Sequence, residues 1–132
     1  MLSCCEKNMY SVFVKELKEK YLKPLAYDGK ILKIMHGSDN DIWIIKSVFN
    51  ISFVNFIDTS RLDLELKIKG SIRALATLSA EYLETYMPKD YQVSEWKIRP
   101  IHEAMIDYAR RDSMVLPFLL RKILKLVNED KK

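Results

Sequence analysis

The chain has 132 residues, enough for one domain, and its 22 Lys and Arg residues against 18 Asp and Glu give a formal net charge of +4. Hydrophobic residues make up 48% and charged residues 30%, proportions of a soluble globular domain that exclude a disordered tail and a membrane protein. With only 3 glycines, neither the G-x-G-x-x-G nor the G-x-x-x-x-G-K-[ST] phosphate loop can be written, which excludes a Rossmann enzyme and a P-loop ATPase.

In the first half of the chain, the pattern predicts two helices and two strands. Residues 9–22 have apolar side chains at helical spacing, and Pro24 is expected to end this helix. Residues 31–35 form a short apolar run typical of a buried strand, and residues 51–57 form another, rich in β-branched and aromatic side chains. Between them Ser38, Asp39 or Asn40 can cap a helix, whose apolar positions are Ile42, Trp43, Ile45, Val48 and Phe49.

The second half is dominated by helices. Residues 61–69 (RLDLELKIK) fit a strand by alternation and a helix by composition, and both interpretations stay open. Residues 71–86 predict an amphipathic helix, residues 87–100 a polar loop, and residues 101–127 a helix that Pro117 kinks or restarts. The inward positions of the 71–86 helix are Ile72, Leu75, Leu78, Tyr82 and Leu83. The order of elements is that of an α/β fold with parallel strands, although two or three strands make a small sheet.

Two cysteines and two histidines leave little room for other site chemistry. Cys4 and Cys5 are adjacent and the chain has no other cysteine, so they predict neither a disulfide framework nor a metal site. The chain shows no apolar run of about 20 residues and no signal sequence. We therefore expect an intracellular protein with no membrane partner.

Three side chains with oxygen ligands stand where they could carry chemistry. Asp41 opens the helix that follows the first strand, and Tyr108 and Asp112 are one helical turn apart on the same face. Carboxylates suit Mg²⁺ or Mn²⁺, two such ions can clamp a phosphodiester, and a tyrosine can orient the attacking water. By residue type alone the competing interpretations stay open: Asp41 as a favourable charge at a helix N-terminus, and Tyr108–Asp112 as a half-exposed helix face.

Three tracts in one order resemble a known family. HGSDNDI at residues 36–42, followed by NFIDT at 55–59, is similar to the second motif of the ribonuclease D family and the strand after it. KDYQVSEWKIRPI at residues 89–101 resembles a tract of the exonuclease subunit of the nuclear exosome, and YARRDS at 108–113 resembles its third motif. The resemblance covers roughly residues 22–126 and identifies a DEDD-type 3′–5′ exonuclease domain with a tyrosine in the third motif.

This resemblance implies a fold, a mechanism and a setting. The expected fold is ribonuclease H-like, a mixed sheet flanked by helices. Asp41 and Asp112 match metal carboxylates for two Mg²⁺ or Mn²⁺ ions, Tyr108 matches the tyrosine that positions the attacking water, and Lys89 matches a lysine that contacts the terminal nucleotide. The implied partners are the 3′ end of single-stranded RNA and the exosome core or its cofactors. The implied location is the nucleus, and the implied reaction releases nucleoside 5′-monophosphates.

The family's first motif, an Asp-x-Glu pair on an early strand, has no match before His36. Only 35 residues precede it, and they contain no D-x-E. The D-x-E at residues 63–65 follows the second motif, so we interpret it as unrelated to the first motif. We therefore expect residues 1–132 to be a partial exonuclease domain, truncated at the N-terminus and without a downstream helical nucleic-acid-binding domain. Ile31, Ile34 and Ile45 should then be unusually exposed, and the Asp41 and Asp112 carboxylates should lie within about 8 Å of each other.

Two alternatives to an RNA exonuclease stay open. The first is a non-catalytic remnant of such an enzyme that serves for interaction or nucleic-acid binding. The second is a proofreading DNA exonuclease, against which the K-x-Y-Q…W-x-x-R-P tract argues. Three further side chains have structural interpretations: Trp96 and Arg99 should lock their loop rather than contact RNA, and His36 should end a strand and bond locally.

Overall fold

The computed structural model describes residues 14–66, 70–88, 90–91 and 94–129. In chain order they comprise helical residues 14–17, a π-helical turn Lys18–Leu22, α1 Lys23–Tyr27, β1 Lys33–Met35, α2 Asp39–Phe49, β2 Phe56–Asp58, α3 Thr59–Leu66, α4 Leu75–Leu83 and α5 Glu103–Glu129. β1 and β2 pair in a two-stranded parallel sheet. The described part is thus a helix-rich α/β structure, as predicted, and none of its helices is long and apolar enough to cross a bilayer.

The chain divides into two compact units. The first comprises Met1–Lys33 and Ser38–Ile57, and the second comprises Ile34–Gly37 and Asp58–Lys132. The division assigns Asp41 to the first unit and the Tyr108–Asp112 pair to the second.

In the first unit, a buried lysine holds the turn between α1 and β1. The Lys33 ammonium donates to the carbonyl oxygens of Asp28 at 2.6 Å, Ile31 at 3.0 Å and Val54 at 2.7 Å. Its side chain is 8% exposed, and these three acceptors satisfy the three protons of the ammonium. The turn also receives hydrogen bonds from the Asn55 amide to the Gly29 carbonyl and from the Val54 N–H to the Ala26 carbonyl.

The prediction that Pro24 ends the first helix is wrong. Pro24 stands at the start of α1, which continues to Tyr27. A proline is tolerated in the first turn of a helix because its missing N–H costs no hydrogen bond there. The π-helical turn ends just before Pro24, with a hydrogen bond from the Lys23 N–H to the Lys18 carbonyl, so Pro24 lies in the first turn of the α-helix that follows. The predicted residues 9–13 of this helix lie outside the described residues.

The helix predicted after Ser38 is confirmed, but its apolar side chains are less buried than expected. None of the residues of α2 is fully buried, and Trp43 and Val48, two of its apolar positions, are each 67% exposed. Ile42, Ile45 and Phe49 form a half-buried face instead. The predicted exposure is therefore confirmed for Ile31, at 45%, and wrong for Ile34 and Ile45, which are only partly exposed. Asn50 ends the helix in the left-handed conformation, which asparagine tolerates.

The second unit is built on α3, α4 and α5. Its core consists of the fully buried Leu78, Leu119 and Ile123, with five partly buried side chains packed around them: Leu62, Leu66, Leu75, Tyr82 and Leu83. The ambiguous 61–69 segment is helical as far as Leu66, and residues 67–69 lie outside the described residues. α5 runs from Glu103 to Glu129 as one helix with Pro117 inside it, so the restart expected at this residue is wrong, and the alternative of a kink stays a prediction.

The helix predicted from residue 71 begins only at Leu75, because the residues before it serve a buried ion pair. Ala74 is extended, and Ile72, predicted to point inward, is 48% exposed. The Arg73 guanidinium instead donates to both carboxylate oxygens of Asp63, from Nε at 2.8 Å and from Nη2 at 2.5 Å. It also bonds Glu81, while the Tyr82 hydroxyl donates to Asp63 at 2.6 Å.

The burial of this network appears in its pKa values. Asp63 is 1% exposed, and burial together with the nearby Asp63 carboxylate raises the pKa of Tyr82 to about 12. Hydrogen bonds to the carboxylates of Asp63 and Glu81 raise the pKa of Arg73 further above its ordinary value, so the guanidinium stays charged.

Replacing Arg73 with methionine should lower the free energy of unfolding by about 3–5 kcal/mol, because the Asp63 carboxylate is then left buried without its cation. Urea unfolding followed by circular dichroism measures the loss. The matched control is Arg110→Met, which breaks the exposed Arg110–Asp107 pair and should cost no more than about 1 kcal/mol. Equal losses in the two variants would contradict the importance assigned to the buried pair.

Candidate active site

Tyr108 and Asp112 lie one turn apart on α5, as the spacing predicted. The Asp112 carboxylate and the Tyr108 phenol each affect the pKa of the other. Burial raises the pKa of Asp112, and the interaction with Tyr108 opposes this only in part. The charged carboxylate is therefore less stable here than in water, a condition that a bound cation would relieve.

The phenol of Tyr108 stays protonated at neutral pH. Burial raises its pKa above the ordinary value of 10.0, and the negative charge of Asp112 raises it further. A protonated phenol can donate one hydrogen bond and accept others, so it can orient a water molecule without serving as a strong base.

Two aromatic side chains of the 87–100 loop contact the Tyr108 ring. The Tyr91 ring meets it edge to face at a centroid distance of 6.2 Å, and the Trp96 ring meets it at 6.2 Å with an interplanar angle of 50°. Such pairs stabilise a fixed ring position. The K-x-Y-Q…W tract contained both residues, but sequence reasoning did not assign them this contact with Tyr108.

Arg99 closes the same loop on itself. Its Nη1 donates to the carbonyl oxygens of Trp96 at 2.8 Å and Ile98 at 2.9 Å. These bonds agree with the interpretation that Trp96 and Arg99 lock the loop. Lys89, the residue expected to contact the terminal nucleotide, lies outside the described residues.

Tyr108 and Asp112 line two adjoining cavities of the second unit. The larger, of about 430 Å³, is mostly apolar. The smaller, of about 130 Å³, is lined by the start of α4. Both cavities also share Met87 and Pro88. The pair is therefore reachable from two sides, and only the larger cavity has room for a nucleotide fragment.

The His-Gly step of the second motif is fixed by bonds to distant parts of the chain. His36 follows β1; its Nε2 is 2.9 Å from the Arg73 carbonyl oxygen and its Nδ1 is 2.9 Å from the Thr59 hydroxyl. The expectation that His36 bonds locally is thus wrong, since its partners are 23 and 37 residues away.

Gly37 needs its lack of a side chain for its conformation. Its φ of +62° lies in the left-handed region, and its N–H donates to the Asp58 carboxylate at 3.1 Å. The same carboxylate oxygen accepts hydrogen bonds from the N–H and the hydroxyl of Ser60, at 2.8 Å and 2.6 Å. The His36–Gly37 turn is therefore held by the last residue of β2 and the residues just after it.

Asp41 lies in the first turn of α2 and is exposed. A carboxylate at this place interacts favourably with the helix N-terminus, and it is also free to bind a cation from solvent. Because Asp41 and Asp112 belong to different units, their approach to within about 8 Å stays a prediction.

The D-x-E pair at residues 63–65 is not arranged as a metal site. The Asp63 carboxylate is engaged by Arg73 and Tyr82, whereas Glu65 is exposed. Among the described residues, no group of three or more His, Cys, Asp or Glu side chains could hold a metal ion. Asp112 nevertheless has the donor chemistry that Mg²⁺ or Mn²⁺ requires.

Comparison with known proteins gives this geometry a context. The chain is 33% identical over 119 residues to the exosome complex component 10 homolog of Caenorhabditis elegans, an alignment that covers 88% of this chain and 13% of that protein. The chain thus spans only a small part of the curated relative that it matches.

Solved structures agree in fold. The crystal structure of Escherichia coli RNase D, an exoribonuclease involved in structured RNA processing, superposes with a TM-score of 0.72 at 25% identity, over 78% of this chain and 27% of that chain. The catalytic core of RRP6 from Trypanosoma brucei gives a TM-score of 0.64 at 29% identity, over 76% of this chain and 27% of that one. NrnC of Brucella melitensis with bound Mg²⁺, 22% identical, matches the fold with a TM-score of 0.70, over 83% of this chain and 53% of that one.

A family model described as 3′–5′ exonuclease matches residues 3–128, nearly the whole chain. The ribonuclease H-like fold that the motifs implied is confirmed by the RNase D and RRP6 structures. The chain belongs to the 3′–5′ exonuclease domain family, in its RNase D and exosome component 10 branch.

Proposed function

We propose that this domain removes nucleotides from the 3′ end of single-stranded RNA by hydrolysis of the terminal phosphodiester, with Asp112, Tyr108 and Asp41 as its catalytic residues. The observation that carries the proposal is the Tyr108–Asp112 pair. A carboxylate destabilised by burial beside a protonated phenol, at the wall of a cavity, is the arrangement expected of a functional site rather than of a solvated helix face.

Each residue has a separate task in this proposal. Asp112 and Asp41 would hold divalent cations, Mg²⁺ or Mn²⁺, through their carboxylate oxygens. The ions, when bound, supply Lewis-acid stabilisation of the charge that develops on the phosphodiester. Tyr108 donates or accepts a hydrogen bond to place the attacking water, while Tyr91 and Trp96 keep its ring in position. Lys89 contacts the terminal nucleotide.

The biological setting is proposed from the relatives. The C. elegans relative is named as an exosome complex component, and E. coli RNase D is described as processing structured RNA. By this likeness we place the domain in nuclear RNA processing or degradation, rRNA processing included, with the exosome core or its cofactors as partners.

One observation favours a second candidate, a non-catalytic nucleic-acid-binding domain. The described residues contain no cluster of three potential metal ligands, so the two carboxylates would hold a pair of divalent cations weakly. The two candidates differ in hydrolysis and agree in RNA binding.

We expect the 132-residue chain alone to show little Mg²⁺- or Mn²⁺-dependent hydrolysis, because two carboxylates on separate elements cannot fix two ions. A form joined to an upstream segment with the family's Asp-x-Glu pair should release nucleoside monophosphates from 3′-labelled single-stranded RNA. In that form Asp112→Asn should abolish the release, and Tyr108→Phe should slow it by about a hundredfold or more.

The control for the metal assignment is Glu65→Gln, which should leave hydrolysis by the extended form unchanged. Robust hydrolysis by the 132-residue chain, lost on Glu65→Gln, would show that the pair at residues 63–65 is the first motif after all. Absence of hydrolysis in the extended form would support the non-catalytic candidate.

Asp112→Asn should also stabilise the fold at pH 7. The pKa of Asp112 is higher in the folded chain than its ordinary value of 3.8, so the folded state binds more protons between these two values. Stability contributed by this group is therefore lost as the pH rises through that window. The uncharged variant escapes this loss and should be more stable than the parent at pH 7.

Thermal unfolding of both proteins at pH 3 and pH 7 measures this gain, which should shrink at the lower pH. Asp107→Asn, on the same helix, is the control: its carboxylate forms the exposed pair with Arg110, so its loss should not stabilise the fold. A variant at Asp112 that is less stable than the parent at pH 7 would show that the carboxylate has a structural role.

A further inference from the structure

The imidazole of His36 and the hydroxyl of Thr59 form a row of polar contacts between two backbone carbonyls. The His36 Nε2 lies 2.9 Å from the Arg73 carbonyl oxygen, and its Nδ1 lies 2.9 Å from the Thr59 Oγ1. The Thr59 Oγ1 in turn lies 3.1 Å from the Met35 carbonyl oxygen. All four residues belong to the second unit. We call these three contacts the His36 network.

The number of protons in the His36 network decides how many of its contacts are hydrogen bonds. A carbonyl oxygen can only accept, so Nε2 must carry a proton to bond Arg73, and the Thr59 hydroxyl must donate to bond Met35. If the imidazole is neutral, Nδ1 is then an acceptor that faces a hydroxyl oxygen whose single proton is already used. If that proton turns to Nδ1 instead, the bond to Met35 is lost. Two protons therefore serve three contacts.

A second proton on the imidazole completes the network. Nδ1 then donates to the Thr59 Oγ1, which still donates to the Met35 carbonyl, while Nε2 donates to the Arg73 carbonyl. Water cannot replace the missing bond at the hydroxyl, because Thr59 is 0% exposed. The folded state thus gains a hydrogen bond when His36 takes up a proton, and the unfolded chain does not.

The charged groups near the network do not oppose a cation at His36. The elements that His36 contacts carry the charged side chains of Asp58 at the end of β2, Arg61, Asp63 and Glu65 on α3, and Arg73 before α4. The Arg73 guanidinium is matched by the carboxylates of Asp63 and Glu81. The Asp58 carboxylate accepts the N–H of Gly37, the residue next to His36, so a negative charge is close to the imidazole.

From this proton count we propose that His36 is a pH-sensitive link within the second unit. When doubly protonated, it joins the end of β1 to the first residue of α3 and to the segment before α4 through three hydrogen bonds, and loss of the Nδ1 proton removes one of them. An imidazole is the side chain that ordinarily changes its charge between about pH 5 and pH 8. The stability that this link contributes is present at the acidic end of that range and is lost as the pH rises.

The first test observes the imidazole itself. The chain contains 2 histidines, and His102 is exposed, so His102→Gln leaves His36 as the one titrating imidazole. Two-dimensional NMR that correlates the ring nitrogens with the ring carbon-bound protons distinguishes the two neutral tautomers and the cation. At about pH 8 the proton should reside on Nε2, and Nδ1 should take up a second proton as the pH falls to about 5.5.

The second test measures urea unfolding of the His102→Gln chain at the same two pH values. The equilibrium constant for unfolding should rise about three- to tenfold from the lower to the higher pH, the effect of one hydrogen bond. His36→Gln in this background reports the contribution of every other titrating group and should lack the rise. Thr59→Val, which replaces the hydroxyl by a methyl group of similar volume, should also lack it, whereas Thr59→Ser should keep it.

Two results would overturn the inference. One is an equal pH dependence of unfolding with and without His36. The other is a neutral tautomer with its proton on Nδ1, because Nε2 could not then donate to the Arg73 carbonyl. The NMR measurement needs no change at the buried Thr59, so it decides the question even if Thr59→Val does not fold. Neither test measures hydrolysis, so this proposal and the proposed function can fail separately.

Discussion

The two-hydrogen-bond ion pair between the Arg73 guanidinium and the Asp63 carboxylate is the interaction on which the second unit depends. It fixes the extended residues before α4 and therefore the start of that helix at Leu75. The position of α4 in turn fixes where the loop at residues 84–88 begins. The carbonyl of the same arginine lies against His36 at the end of β1. One residue therefore connects the sheet end, the α3 interior and the helix that shapes the candidate site. Burial of such a pair has a desolvation cost, but the pair holds three elements in a single defined arrangement.

Sequence reasoning found the elements whose signals are local. The helix after Ser38 and the loop with its two prolines follow from residue types that act within a few positions, and so does the presence of two strands. The strands are shorter than predicted, since the first begins at Lys33 and the second only at Phe56. Sequence reasoning failed where partners come from afar. The pattern of residues 71–86 suggested a helix from the start, and nothing near Arg73 reveals that its guanidinium is needed ten residues upstream. The prediction that Pro24 ends its helix was wrong for a different reason, because residue propensities do not predict the π-helical turn that precedes it.

The candidate site was predicted by motif and refined by geometry. Spacing placed Tyr108 and Asp112 on one helix face, and the structure adds the burial that alters both pKa values. The contact of Tyr91 and Trp96 with Tyr108 could not follow from spacing, since it depends on how a loop of irregular backbone folds back on α5. The same limit applies to the larger cavity, whose lining comes from α5, from the end of α4 and from the residues just after it.

The three hydrogen bonds that the Lys33 ammonium donates to backbone carbonyls have a consequence for the first unit. Loops in which several carbonyl oxygens converge often rely on a captured inorganic cation, and their order then varies with the ionic composition of the medium. Here the positive charge is tethered to the chain by four methylene groups, so the turn carries its own counter-charge wherever the protein is found. Such a turn is insensitive to chelators, and its weak point is chemical modification of one amine.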